Sequence, residues 1–146
     1  MLAAVLVLQT PAQGTYPVFD TDLLPPGEYA RRRERLMQSM PKGSVGVLFT
    51  NPVHTRNNDV DFDFRADSDF LYLTGFTEAN AAVIIAPDGI TVDGKTANTW
   101  LFLDPPNPTS VQWQGYRMGE EGARRVLGLE GLPNRRFAEI MKSVSD

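Results

Sequence analysis

The chain has 146 residues and a formal net charge of -4, which is the size of one compact domain with a single core. Its basic residues are scattered apart from a group of arginines at 31–35, so a nucleic-acid partner is not expected. The absence of cysteine excludes disulfides, thiolate nucleophiles and cysteine-ligated zinc.

The chain begins with an apolar run at residues 2–8, followed by small and polar residues. This pattern is similar to the hydrophobic region and cleavage zone of a secretory signal, and the run is too short to span a bilayer, so no membrane partner is expected. No lysine or arginine precedes the run, and a first strand or an ordered arm fits equally well. We expect a periplasmic or secreted protein if residues 1–14 are a signal remnant, and a cytoplasmic protein otherwise.

Residues 1–26 end in a proline-rich stretch that predicts an extended segment leading into the domain. Each proline fixes its own φ and disfavours the helical conformation of the residue before it. The domain is therefore expected to occupy residues 27–146. Residues 27–40 are rich in helix formers and predict its first helix. The arginines of this helix are predicted to form a solvated face, partly neutralised by Glu28 and Glu34.

Three short β-rich runs follow, at residues 44–50, 81–87 and 99–105. Their apolar residues are continuous rather than alternating, which predicts strands covered on both faces. Two turn signals in "PDGITVDG" indicate a hairpin between the second and third runs. The pattern predicts an α/β fold, a mixed β-sheet with helices on both faces.

Two helices are predicted in the last part of the chain. The first covers residues 120–127, and the second begins in "RRFAEIMKSVS" and meets no stop signal before Asp146. A helix without a C-terminal breaker suggests that the natural protein continues beyond this residue.

The stretch from 56 to 76 is both acidic and aromatic, and a calcium loop is the first hypothesis to test. Four aspartates have suitable spacing: Asp59, Asp61, Asp63 and Asp67. The loop nevertheless fails the EF-hand pattern, because Phe64 replaces the glycine of the sixth position and Phe70 replaces the glutamate of the twelfth. The only histidine is His54, which disfavours a transition-metal centre. We expect no metal to be bound by this chain.

A structural alternative explains the same stretch. Asp61 and Asp63 would point outward from an extended segment while Phe62 and Phe64 face the core, which is the period-two pattern of a half-buried strand.

Two motifs together resemble the amino-terminal domain of aminopeptidase P, in the creatinase/aminopeptidase P family. The first motif consists of Arg56, Asp59, Phe62, Phe64, Arg65, Asp67, Ser68, Phe70, Tyr72, Leu73, Thr74, Gly75, Phe76 and Glu78. The second is "TSVQWQGYRMGEEGA" at 109–123, and the helix before the first motif also matches, so the resemblance covers about residue 28 to the end. Asp63 departs from the pattern, because many relatives have proline there.

The resemblance implies the amino-terminal part of an Xaa-Pro aminopeptidase, a hydrolase that removes the residue before proline. In that family a second, "pita-bread" domain holds two divalent ions, usually manganese, through two aspartates, a histidine and two glutamates. A hydroxide bridging the ions attacks the peptide bond. That domain is absent from this chain, which is therefore expected to contain no catalytic residue and to be inactive alone.

The resemblance also implies partners and site residues. The partners would be the chain's own catalytic domain, further copies in a dimer or tetramer, and a proline-containing peptide. Asp59 and Trp113 match residues near the substrate entrance, although a turn or helix cap for Asp59 and a half-buried ring for Trp113 fit the residues as well.

The other motif residues are expected to be structural. Arg56 and Arg65 are predicted to pair with Asp67, Asp69 or Glu78, and either Ser68 or Asp67 is predicted to cap a short helix that contains Phe70 and Tyr72. This helix would be followed by Gly75.

Two other functions remain open at this point. A domain of this type without peptidase chemistry would be a stand-alone recognition module, and an amidinohydrolase such as creatinase shares the architecture.

Overall fold

A computed structural model describes residues 24–57, 60–61, 63–107 and 117–145. The expected signal remnant at 1–14, together with Asp59, Phe62 and Trp113, lies outside these residues. Among the described helices none is both long and apolar enough to cross a membrane.

The elements follow one another in a mixed order. They are α1 (Pro26–Ser39), β1 (Gly46–Phe49), β2 (Thr55–Asn57), β3 (Val60–Asp61), α2 (Ser68–Thr74), β4 (Ala82–Val92), β5 (Lys95–Leu103), α3 (Gly119–Gly122) continued by a π-helical turn (Ala123–Leu127), β6 (Glu130–Pro133), a 3-10 turn (Asn134–Arg136) and α4 (Phe137–Ser145).

The main sheet has the strand order β1-β4-β5-β6, and β2 and β3 form a separate small hairpin. The first three strands of the main sheet are antiparallel, whereas β6 is parallel to β5. The predicted mixed sheet is therefore confirmed. The sequence did not reveal β6, because its "EGLP" carries a glycine and a proline and has no apolar alternation.

Both faces of β4 and β5 are buried, as their continuous apolar runs predicted, whereas the same prediction is wrong for β1, which lies at the sheet edge and is only partly buried. Val83 and Leu101 point to one face, where they contact a cluster that includes residues of α2 and the π-helical turn. Ile84 and Phe102 point to the other face and pack in a cluster with Ile140 of α4. All four strand residues have no exposed surface, and each stabilises the fold by about 1.5–3 kcal/mol through burial.

The predicted β4–β5 hairpin is confirmed, with a tight turn at Asp93 and Gly94. Both have positive φ, 50° and 78°, as the favoured two-residue hairpin turns require. The first turn signal, which includes Gly89, instead lies inside β4, where the register shifts between Ile85 and Ile90. Glycine accommodates the positive φ of 79° at such a bulge, so the strand bends rather than ends.

Two arginines of α1, Arg32 and Arg33, depart from the prediction of a solvated face, whereas Arg31 and Arg35 are exposed as predicted. Glu28 does pair with Arg31 and Arg32, but Arg33 is only 6% exposed. Arg33 Nη1 donates to the carbonyl oxygen of Leu73 at 2.8 Å, and Arg32 Nη1 donates to that of Tyr72 at 3.1 Å. The last carbonyls of a helix lack partners within it and favour a nearby cation. The two arginines therefore cap α2.

Candidate functional site

The two motif segments leave the main sheet at the same end. β1 is antiparallel to β4, which is antiparallel to β5, and β5 is parallel to β6, so the carboxyl ends of β1, β5 and β6 lie together. The first motif follows β1 and the second follows β5. In open α/β sheets this end is where loops usually build a site.

Polar side chains hold this end of the sheet together. Asp104, directly after β5, accepts hydrogen bonds from Asn134 and from Asn80, the latter at 3.4 Å. A groove of about 340 Å³ lies beside them and includes Phe49, Arg135 and other residues of this end. The start of the first motif loop thus lies next to a partly polar groove.

Asp67 caps α2, which decides between the two predicted caps. Its Oδ1 accepts from the backbone N–H groups of Asp69 and Phe70, both at 3.0 Å, and Ser68 is the first residue of the helix. The capped helix places Phe70, which has no exposed surface, in the core. Asp67 therefore caps α2, and Phe70 packs in the core.

The carboxyl end of α2 explains why the motif contains glycine. Gly75 has φ +70°, and a Cβ there would lie 2.6 Å from the ring of Tyr29. Only glycine combines the left-handed backbone with this close approach. Tyr72, by contrast, is half exposed, and the Arg32 guanidinium lies 4.1 Å from the centre of its ring.

Glu78 joins the two motifs. Its Oε1 accepts from the backbone N–H of Met118 at 2.7 Å, and its Oε2 lies 3.8 Å from Nη1 of Arg117. The carboxylate is buried, where a charge is stable only with such partners. The sequence analysis did not identify Arg117 as a partner of Glu78, although its position in the second motif could have suggested that it has a role. Arg56 and Arg65 are exposed, and their pairing inside the loop stays a prediction.

Two glycines, Gly119 of the second motif and Gly131 of β6, allow close packing at the start of α3. A Cβ at Gly119, whose φ is +63°, would lie 2.5 Å from Cγ of Pro106. A Cβ at Gly131 in β6 would lie 2.7 Å from Cα of Glu120. The start of α3 therefore fits closely between the segment after β5 and the strand β6.

No group of three or more His, Cys, Asp or Glu side chains within the described ranges is arranged to hold a metal ion. His54 and Asp63 are both exposed. Described acidic residues instead cap α2, join the two motifs, accept hydrogen bonds from asparagine or the backbone, or pair with lysine and arginine.

Comparison with known proteins identifies the family. Residues 29–145 match the family described as "Aminopeptidase P, N-terminal domain". The chain belongs to this family. The resemblance inferred from the two motifs is thereby confirmed.

Individual proteins similar to this chain support the same assignment. Xaa-Pro aminopeptidase of Haemophilus influenzae is 34% identical over 122 residues, which cover 83% of this chain and 27% of that protein. Xaa-Pro aminopeptidase 3 of Homo sapiens is 31% identical over 114 residues, which cover 70% and 22%. The solved structure of Pseudomonas aeruginosa aminopeptidase PepP superposes with a TM-score of 0.73 at 34% identity and covers 83% of this chain and 26% of that one. The chain thus spans about a quarter of the length of these relatives.

Proposed function

We propose that this chain is the non-catalytic amino-terminal domain of a metal-dependent aminopeptidase that removes the first residue from peptides with proline in second position. In this proposal it shapes the substrate entrance and contributes to oligomerisation. The observation that carries the proposal is the meeting of the two family motifs at Glu78, with both loops starting from one end of the sheet.

The loops that start at this end carry the two residues proposed for the substrate entrance. Asp59 follows β2, and Trp113 precedes the Arg117 that pairs with Glu78. A carboxylate such as Asp59 would attract the free amino group of a peptide, and an aromatic ring such as Trp113 would cover the bound peptide at little entropic cost. Their roles follow from the family motif.

The proposed catalytic domain would supply two divalent ions, which make a water nucleophilic near neutral pH and stabilise the oxyanion. This chain would supply positioning and association only. We therefore expect the chain alone to bind no stoichiometric manganese and to release no residue from an Xaa-Pro peptide. Metal-dependent hydrolysis by the purified chain would overturn the proposal.

The role of Trp113 is tested in the full-length protein with Trp113→Ala. If the Trp113 ring covers the substrate, its removal should weaken productive substrate binding by about 1–3 kcal/mol, the scale of one interface aromatic, and leave the metal content unchanged. Trp100→Ala is the matched control, because Trp100 is 3% exposed and its Nε1 donates to the carbonyl of Ile90 at 3.0 Å. Loss of this core ring should lower the free energy of unfolding by about 3–5 kcal/mol.

Kinetic constants, bound manganese and thermal unfolding are measured on the same preparations. If Trp113→Ala has normal kinetics, Trp113 is not at the entrance. If it melts as early as Trp100→Ala, its ring belongs to the core.

The alternatives are separated by other measurements. A downstream sequence that lacks the Asp, Asp, His, Glu, Glu ligand set would indicate a stand-alone recognition module, and hydrolysis of creatine in place of Xaa-Pro peptides would indicate an amidinohydrolase.

A further inference from the structure

A second groove, here called the edge groove, runs along β1 and has a volume of about 590 Å³. Its lining includes Arg32, Arg35 and Leu36 of α1, Leu48 of β1, and Asp69 and Tyr72 of α2. Tyr72 and Leu73 of the first motif form part of its α2 wall.

β1 forms an edge of the main sheet, and among the described strands only β4 pairs with it. The backbone N–H of Thr50 donates to the carbonyl of Ala81 at 3.0 Å. Because hydrogen-bonding direction alternates along an antiparallel pair, Leu48 also points its backbone groups to β4. The N–H and C=O groups of Val47 and Phe49 therefore point toward the open edge, where a further strand could bind.

The side chains beside this edge divide between the two faces of the sheet. Leu48 packs with the cluster under α1, whereas Phe49 points to the other face and contacts the ring of Phe137 at 5.3 Å. Phe49 is nevertheless 58% exposed. A strand added to β1 would cover this ring with a side chain of its own.

The α1 wall of the edge groove is basic. Arg35 is exposed there, whereas Arg32 lies over the ring of Tyr72 and also pairs with Glu28. The single carboxylate among the lining residues is Asp69 on the opposite wall. An acidic segment would fit along the α1 wall.

The residues that precede the described domain join it close to this groove. The backbone N–H of Leu24 donates to the hydroxyl of Tyr29 at 3.1 Å, and the Tyr29 ring lies 5.5 Å from the Arg32 guanidinium. An extended chain advances about 3.3 Å per residue, so the five residues from Phe19 to Leu24 can span about 17 Å. The α1 wall of the groove, from Arg32 to Met40, is shorter, about 12 Å along the helix axis, so the segment is long enough to extend along it.

The sequence of residues 16–23, "YPVFDTDL", has the pattern that this edge requires. In an extended segment Asp20 and Asp22 share one side and Phe19 lies on the other. The proline at its start is compatible with an edge strand.

We propose that residues 16–23 dock on the edge of β1 as an added strand, with Asp20 and Asp22 facing Arg32 and Arg35 and with Phe19 packed against Phe49. The backbone of the segment satisfies the open edge, as in other strand additions. Its covalent attachment at Leu24 gives it a high effective concentration at the groove. This inference is independent of the proposed enzymatic function.

Amide hydrogen exchange of the 146-residue chain tests the docking. We expect the amides of Val47 and Phe49 to be protected, and to exchange at least about tenfold faster in Phe19→Ser and in Asp20→Arg. The amide of Leu48, which points to β4, should keep its rate. Exchange at Val47 and Phe49 that is equally fast in the wild type and in Phe19→Ser would overturn the proposal.

A charge swap tests the contact of the segment with α1. Arg35→Asp should increase exchange at Val47 and Phe49, and combining it with Asp20→Arg should restore protection, whereas Arg125→Asp at an exposed site of the π-helical turn should change nothing. Protection that disappears on dilution, together with a dimeric mass at high concentration, would show that a second copy covers the edge and would refute the docking of this segment.

Discussion

Removing the carboxylate of Glu78 should separate the two motifs and destabilise the domain. In Glu78→Ala the N–H of Met118, a residue that is 8% exposed, loses the acceptor that lies 2.7 Å away. A hydrogen bond to a charged group contributes about 1.5–3 kcal/mol. For a domain near this size, 1 kcal/mol corresponds to about 2–4 °C, so Glu78→Ala should melt about 3–12 °C below the wild type.

Two further variants make this measurement specific. Glu78→Gln keeps an acceptor for Met118 but removes the charge beside Arg117, and it should fall between the wild type and Glu78→Ala. Glu139→Ala removes an exposed carboxylate that pairs with Arg136 at 3.2 Å, and its melting temperature should stay within about 2 °C of the wild type. Calorimetry checks all three. Equal melting temperatures for Glu78→Ala and Glu139→Ala would refute the role of Glu78.

Three other changes have defined outcomes. Gly75→Ala should destabilise the domain by more than about 2 kcal/mol, because the new Cβ would clash with Tyr29 in addition to the strain of the left-handed backbone. Gly43→Ala is the control: its φ is +75° with nothing within 4 Å of the new Cβ, so it should cost only about 1–2 kcal/mol. Equal urea midpoints for the two variants would contradict this. Arg33→Met should lower the free energy of unfolding by about 1–3 kcal/mol, because the carboxyl end of α2 loses its buried donor, and Arg33→Met as stable as the wild type would show that this cap is unnecessary. A hydrogen bond from Lys95 lowers the pKa of Glu130, so the stabilisation from the Glu130 carboxylate is present above the ordinary carboxyl pKa and is lost as pH falls through the lowered value. Glu130→Gln should therefore be less stable than the wild type at pH 7 and equally stable at about pH 2. A constant difference in stability between these pH values would contradict the assignment.

Local sequence determined the elements whose signals lie within a few residues. The apolar runs that became β4 and β5 predicted both the strands and their burial on two faces, because a strand covered on both sides needs apolar residues at every position. The run that became β1 predicted the strand but not its place at the sheet edge, where Phe49 is exposed. The Asp93–Gly94 turn predicted the hairpin. The strands and this turn depend on backbone preference and side-chain periodicity, which a sequence displays directly. The family was indicated by the resemblance of the two motifs to known members.

The tertiary structure alone decided which polar groups meet. Arg33 lies 40 positions before the carbonyl of Leu73 that it caps, and Glu78 lies 40 positions before the Met118 N–H that it accepts. In the sequence the arginine is part of an ordinary charged helix, and the glutamate ends an aromatic motif whose own arginines, Arg56 and Arg65, were its predicted partners. The observed partners are selected by the packing of α1 on α2 and of α3 against β6, because a buried charge is stable only where folding brings a donor or acceptor to it.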